Sequence, residues 1–551
     1  MSGHDALVVG SGFAGSWAAK ELTEAGWRTL VLEAGPARTA GDVPERFPHH
    51  ADLDGGVAGL GSAAPRLDGA APSPDHATGD AGPGHTAGEV GPDRAAGAAR
   101  QHVQREHPGF GPRGPHLFVD DDRHPYQTPP DLPYRWIRGM QVGGRSLTWG
   151  GTALRLSPYE LDAASLDGCA LAWPLRYETL APYYAAVEET MGLVGSPEGL
   201  PQVPDSVYRH EPPALTPAEK DFREAYHQPD TRPIPVRFIP SEAGRDGWPR
   251  FTMQATALAA ARRTGRLELR PNAVATEVTT DPRTGRATGV RYVDPATGAR
   301  HHVTARVVLL CAGTIETARL MLHSRGPRHP DGLGNSSGWV GRGLMDHPVL
   351  AATGVLDGHP PAAGYEWSAR QRGLIVPPPP GRPVSTRPFG LWVTLQRLTA
   401  NGVPVGSVDA QGEMLPYWHN RVRLGDTTDR WGVPVPVIEC GYGPHERRLY
   451  TAMRRAITRA AAAAGLRLTA VAEALTVPGL NVHDLGTARM GTDPATSVLD
   501  PDNRCWDCPN VFVTDGACFP GGGWQNPTLT IMALAARAGR HAATLLRQGV
   551  C

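Results

Sequence analysis

Cysteine is scarce in this chain: there are seven in 551 residues, an odd number without regular spacing. That excludes a secreted disulfide framework, because such scaffolds are short, cysteine-dense and evenly paired. Cys505 and Cys508 form a CxxC, but no second pair follows at zinc-ligand spacing, and Cys518 has no histidine partner nearby. Reduced thiols and no metal are expected. Charge of either sign is not in excess: 54 Lys and Arg face 55 Asp and Glu, with no basic run. A nucleic-acid groove needs concentrated positive charge, so the expected partner is small and weakly charged. Long apolar runs are missing as well. The longest candidate, near the C-terminus, is cut by Arg537, Arg540 and His541 and falls short of the roughly 18 residues a membrane span requires. With a first strand from residue 5 there is no room for a charged leader and apolar core, and a cytoplasmic location is expected.

What the chain does have is length and a 40% apolar fraction, enough for a large core in two or more lobes. Asp5 to Gly10 reads as a strand, Phe13 to Ala25 as a helix through Ala14, Ala18 and Leu22, and Thr29 to Glu33 as a second strand. The pattern then collapses from 41 to 116. Between 51 and 105 the only large apolar side chains are Leu53, Val57, Leu60, Leu67, Val90 and Val103, too few to offset the entropy of ordering. A mobile insertion is expected there, and its histidines (His49, His50, His76, His85, His102 and His107) lack ligand spacing. Order resumes near Leu117. Arg266 to Pro271, Ala273 to Thr279, Ala287 to Asp294 and Arg306 to Cys311 read as a meander feeding a core strand. Strand-like runs at Leu391 to Leu395 and Val433 to Ile438 suit a second lobe built on a sheet, and His445 to Ala464 and Thr528 to Leu546 read as helices.

Gly10, Gly12 and Gly15 form GxGxxG between the first strand and helix, the context that gives the motif its meaning. Gly10 permits the turn, Gly12 lets backbone approach a pyrophosphate, and Gly15 lets the helix pack on the strand. Phe13 and Ala14 open a helix whose unpaired amides and partial positive charge suit phosphates. Glu33, 23 residues after Gly10, ends the second strand and can accept hydrogen bonds from ribose hydroxyls. A carboxylate there repels a 2′-phosphate, which disfavours NADP and leaves NAD or FAD. A second glycine cluster, Gly143, Gly144, Gly150 and Gly151 around Arg145 to Trp149, allows another close backbone approach.

The segments VVGSGFAGSWAAKELTEAGWRTLVLEAG, VGGRSLTWGG (142–151), LLCAGTIETARLML (309–322), VGRGLMDHP (340–348), HDLGTARMG (483–491) and DGACFPGGGWQNPTLTIMALAAR (515–537) occur in order along nearly the whole chain outside 41–116. Together they resemble the glucose-methanol-choline oxidoreductases, and within them pyranose oxidases, glycoside oxidases and bacterial sugar or polyol dehydrogenases. The resemblance implies an α/β fold: a Rossmann-like FAD-binding domain (1–40, 117–157, 252–348 and 478–551) with a second, sheet-based substrate domain (158–251 and 349–477). It implies that Gly143, Gly144, Ser146, Leu147, Thr148, Trp149 and Gly150 line a flavin, and that Asp515 and Gly516 approach its ribityl or diphosphate part. Some pyranose oxidases attach FAD through a histidine at the position of Thr148, and a hydroxyl cannot form that bond, so FAD is expected to be non-covalent.

Alcohol oxidation removes a proton from oxygen and a hydride from carbon, the latter passing to flavin N5. The family's catalytic histidine falls at His483, and a neutral imidazole is a suitable proton acceptor near neutral pH. Asn526, where the family has His or Asn, would orient the hydroxyl and steady the alkoxide. Asn526 followed by Pro527 and Thr528 is also a good helix cap, and that helix would aim its positive end at the flavin. His347, in MDHP, is assigned to structural support. The expected reaction is oxidation of a secondary hydroxyl of a sugar or glycoside, with oxygen, a quinone or another acceptor taking the electrons. Another alcohol or polyol, a primary alcohol included, is the alternative; a hydroxynitrile lyase and a non-catalytic flavoprotein are remoter ones.

Overall fold

The computed structural model describes residues 3–43, 100–107, 110, 114–167, 171–244, 246–359, 373–380, 386–398 and 403–550. The expected insertion at 41–116, with His49, His50, His76 and His85, lies mostly outside these residues.

The chain enters through β1 (His4–Val9), whose Ala6 to Val9 are all buried, turns at Gly10 and continues into α1 (Phe13–Glu24). A Cβ on Gly15 would stand 1.9 Å from the Gly10 carbonyl oxygen, so only glycine lets the helix pack this closely on the turn. Next comes β2 (Thr29–Leu32), parallel to β1. Four more strands of this sheet follow: β3 (Leu267–Arg270), β4 (Val274–Thr280), β5 (Ala287–Val293) and β6 (Arg300–Leu310). β6 leads into α2 (Thr314–His323), and the sheet is completed late in the chain by β7 (Val511–Val513), before α3 (Thr528–Arg547).

Two features depart from the pattern read in the sequence. Arg266 to Pro271 is not part of the meander; as β3 it pairs in parallel with β2 at the sheet edge. Pro271 and Asn272, the latter at φ 53°, turn the chain between β3 and β4. β6 also begins at Arg300, not Arg306. Its first half, through Thr304, pairs antiparallel with β5, and its second half pairs in parallel with β1 and β7. Residues 300–302 are exposed and polar, so backbone pairing holds them in the strand with no apolar signal to mark them.

The second sheet is antiparallel, in the order Leu466–Val471, Val349–Leu356, Pro404–Gly412, Phe389–Leu398, Leu374–Val376, Ile234–Pro235. One face buries Leu350, Ala352, Leu391, Val393, Leu395, Val408 and Ala410 against Leu449, Met453 and Ile457 of the helix Pro444–Ala463. Period-two alternation therefore turns the intervening residues to the opposite face. The strand expected at Val433 to Ile438 forms as Pro434–Glu439, but in a separate ribbon with Arg421–Thr428. Arg319 of α2 ties the ribbon down through the Pro434 carbonyl at 2.7 Å and the Asp429 carboxylate at 2.6 Å. Among the described residues no helix is long and apolar enough to cross a membrane.

Candidate active site

The glycine turn opens on a cavity lined by Gly10, Ser11, Gly12, Phe13 and Ala14, the Glu33 strand end, Ala273 to Thr276, Ala312 to Glu316, Asp515 and Gly516. A Cβ on Gly12 would meet nothing within 4 Å, so the backbone there faces open space. Gly12 caps α1 without a side-chain hydrogen bond, leaving first-turn amides for a ligand. Glu33 is buried and accepts from Ser11 N (3.0 Å), Ser11 Oγ (2.6 Å) and Gly35 N (3.0 Å). Burial raises its carboxyl above the ordinary range against these hydrogen bonds. Asp515 likewise accepts from Gly313 N (2.9 Å), Thr317 Oγ1 (2.6 Å) and Ala517 N (3.0 Å), which joins the α2 turn to the C-terminal segment.

The second glycine cluster sits beside the first. Gly143 N donates to Ser11 Oγ at 3.0 Å, Gly143 and Gly144 take φ of 89° and 52°, and Gly144 lines the cavity. Trp149 meets Phe13 edge-on at 4.7 Å and donates Nε1–H to the Phe251 carbonyl at 3.1 Å. Ser146 Oγ accepts from Met253 N at 3.2 Å, and Leu147 is fully buried. Thr148 turns its hydroxyl to the Arg145 carbonyl at 3.3 Å; Gly150 is exposed, with open space where a Cβ would stand. Gly15, Gly143, Ser146 to Gly150, Asn526, Pro527 and Thr528 are not in the cavity wall itself.

Backbone pairing brings the two distant signature segments together: Gly486 N donates to Gly516 O and Ala488 N to Ala517 O, each at 2.9 Å. Asn526 Nδ2 stands 3.3 Å from His483 Nε2, and Asn481 Nδ2 stands 3.3 Å from Nδ1. A carboxamide thus faces each ring nitrogen, and either can offer oxygen or nitrogen by rotating its amide. Asn526 Oδ1 is buried with no hydrogen-bond partner among the described residues. The expected cap has a different arrangement, because Pro527 is the cap residue of α3 and the Asn526 side chain is directed at His483.

Asp346 fixes the loop that carries the histidine. Its carboxylate accepts from Gly479 N (2.7 Å), Asn481 N (3.3 Å) and His483 N (3.1 Å). Val482, a β-branched residue at φ 57°, stores strain beside His483; Arg145 Nη1 donates to its carbonyl at 3.0 Å. His347 donates Nε2–H to the Gly523 carbonyl at 2.9 Å, and its ring stands perpendicular to His483 with centroids 4.8 Å apart. Burial pushes the His347 imidazole down to about 4. Burial, then His347, Arg145 and His107, hold His483 well below the ordinary histidine range.

Family models described as GMC oxidoreductase match residues 234–349 and 416–535. The 2-methyl-1,2-propanediol dehydrogenase of Mycolicibacterium austroafricanum is 32% identical over 455 residues, 73% of this chain and 80% of that protein. The chain belongs to the GMC oxidoreductase family. It is similar as well to paromamine 6'-oxidase of Streptomyces fradiae, 30% identical over 73% of this chain and 78% of that one. C-glycoside 3-oxidase of Arthrobacter globiformis is 31% identical over 47% of this chain and 50% of its own length. The crystal structure of pyridoxine 4-oxidase shares the fold, with a TM-score of 0.60 at 18% identity over 98% of this chain and 99% of that one.

This GMC oxidoreductase is an FAD-dependent enzyme that oxidises CH–OH groups. Its nucleotide cradle fits that cofactor: open space over Gly12, uncapped helix amides and an acid at the end of β2. Sequence reading missed Ala273 to Thr276, Ala312 to Glu316, Arg138 and Arg145 in the cavity wall, and Asp346, Gln411 and Asn481 around the histidine. Asp346 stands beside His347 in the MDHP segment, Ala312 to Glu316 lie in LLCAGTIETARLML and Arg145 in VGGRSLTWGG, all segments already singled out without a role for these residues; Ala273 to Thr276, Arg138, Gln411 and Asn481 carried no local signal.

Proposed function

We propose that this GMC oxidoreductase oxidises a secondary hydroxyl of a sugar or glycoside to a ketone, with FAD held non-covalently. The observation that carries the reading is the pairing of His483 Nε2 with Asn526 at 3.3 Å beside a buried, unpartnered Asn526 Oδ1. A substrate hydroxyl entering there meets an imidazole and a carboxamide together. His483 takes the hydroxyl proton, and Asn526 donates an Nδ2–H to the oxygen while negative charge develops on it. Gly10, Gly12, Phe13 and Ala14 hold the pyrophosphate of the FAD, with Gly15 packing the helix on their turn, Glu33 holds its ribose, and Asp515 and Gly516 the ribityl or diphosphate part. Gly144 meets its ring system, and Gly143 and Ser146 to Gly150 support that contact from behind the cavity wall. When bound, FAD supplies the two-electron acceptor for the carbon-bound hydrogen. Pro527 and Thr528 open α3, whose positive end favours negative charge near the ring.

The relatives named for paromamine and C-glycoside oxidation support a carbohydrate, and the propanediol dehydrogenase supports a second reading, a small polyol. Anaerobic mixing with glucose, glucosides and polyols distinguishes them, with bleaching of the oxidised-flavin band expected for the sugars. Flavin that stays oxidised with every sugar and bleaches with 1,2-propanediol overturns the carbohydrate reading. His483→Ala is expected to retain FAD and lose about 10² to 10⁴ in reduction rate. An unchanged rate would remove His483 from the reaction.

A further inference from the structure

His483 lies in a loop whose backbone is gripped on two sides. The Asp346 carboxylate takes the amides of Gly479, Asn481 and His483, and the carbonyl side falls to Arg145. The Arg145 guanidinium straddles the histidine: Nη1 donates to the Val482 carbonyl at 3.0 Å, and Nη2 pairs with Asp484 Oδ2 at 3.1 Å. One planar group therefore holds both the residue before His483 and the residue after it. A guanidinium presents its donors in a fixed fork, so it sets the separation of two acceptors in a way that an ammonium cannot.

The two ends of this bridge differ. Asp484 is a fixed post: it is buried, its carboxylate also accepts from Tyr134 Oη at 2.5 Å, and its carbonyl accepts from Thr314 Oγ1 at 2.6 Å. Val482 is the strained end. Its φ of 57° lies in the left-handed region, which a β-branched side chain disfavours, and the residue relaxes toward extended backbone unless its carbonyl is held. Arg145 itself starts from the cofactor cradle. It follows Gly144, which packs on the nucleotide turn so closely that a Cβ there would stand 3.2 Å from Gly12 Cα, and Gly144, Arg145 and Asp484 all line the same cavity wall. The backbone of Arg145 is thus set by the nucleotide turn, while its side chain reaches the histidine loop.

We propose that Arg145 is a positioning residue for His483, carrying the fixed geometry of the cofactor cradle to the catalytic loop by holding Val482 in its left-handed conformation against Asp484. This rests on His483 as the proton acceptor and adds what keeps its imidazole in register with the cavity. Released from Arg145, Val482 leaves the left-handed region, and its carbonyl and the following His483 turn with it. A glycine at position 482 has no such preference and keeps the loop's shape with less help from the clamp.

The test separates holding from charge. Flavin reduction by the sugar or diol that bleaches the wild-type holoenzyme is followed by anaerobic stopped flow and normalised to bound FAD. Arg145→Gln is expected to slow reduction about a hundredfold, the loss that a displacement of about 1 Å produces. Arg145→Lys keeps the charge but cannot span both acceptors, and is expected to lose about tenfold. In a Val482→Gly background the Arg145→Gln loss is expected to shrink to about tenfold, because the loop no longer strains against its clamp. Wild-type reduction in Arg145→Lys, or an Arg145→Gln loss of equal size in both backgrounds, overturns the positioning role; Arg145→Lys in the two backgrounds decides the matter if Arg145→Gln does not fold. A second readout needs no substrate. Hydrogen exchange of residues 479–485 in the FAD-loaded enzyme is expected to quicken about tenfold in Arg145→Lys and Arg145→Gln, and unchanged exchange there overturns the proposal as well. Faster exchange in an enzyme whose flavin no sugar or diol reduces would instead strike the oxidation reading and leave the clamp standing.

Discussion

A histidine that must accept a proton works only while it is unprotonated, and the surroundings of His483 keep it so. The ring is half-buried, His347 and the Arg145 guanidinium stand near it, and the Asp346 carboxylate is directed to backbone amides. Each of the first three disfavours imidazolium, so its pKa falls below the ordinary value of about 6.5. Because the base is the deprotonated form, lowering its pKa extends activity toward acid. The expected kcat/KM profile for flavin reduction therefore keeps its His483 limb below pH 6.5, checked by difference against His483→Gln; a limb from His483 at or above that value contradicts the assignment. His483 and Asn526 were readable in sequence because each sits in a dense local motif. Gln411 and Asp346 were not, because they lie 70 residues from Asn481 and 137 from His483 and meet them only through the fold.

At the scale of elements, the loop from Gly479 to His483 is held by one carboxylate taking three backbone amides. Asp346→Ala would leave these donors without their acceptor in a buried setting, where an unpaired N–H costs about 1–3 kcal/mol. The expected result is a loss of about 3 kcal/mol in urea denaturation and a slower flavin reduction with FAD retained, while Asp346→Asn, still an acceptor, is milder. A reduction rate equal to wild type in Asp346→Ala would show that the loop keeps its shape by other means. Local signals located the helices well: α1, α3 and Pro444–Ala463 each end within about a residue of the sequence reading, since apolar spacing and Gly or Pro punctuation mark their ends. Strands fared less well where pairing partners supply the order. β3 belongs with β2 across more than two hundred residues, and the exposed start of β6 is a strand only because β5 lies beside it.

For the whole molecule, the cavity wall draws on segments near residues 10, 33, 138, 273, 312, 431, 484 and 515, so its geometry exists only when distant parts of the chain are assembled. A ligand bound across such a wall recognises the folded state and not the unfolded chain, and stabilises it by RT ln(1 + [L]/Kd). Removing FAD should therefore lower Tm, and adding it back should raise Tm with the logarithm of its concentration, by about 2.7 kcal/mol of stability at a hundred times Kd. Such dependence requires exchange, and Thr148 supplies no imidazole for a covalent link; its hydroxyl is turned to the Arg145 carbonyl. Acid precipitation of the holoenzyme is accordingly expected to leave a colourless pellet and a yellow supernatant. Flavin that remains with the pellet after washing in denaturant would mean that another side chain along the wall has bonded to it, and Tm would then be indifferent to added FAD.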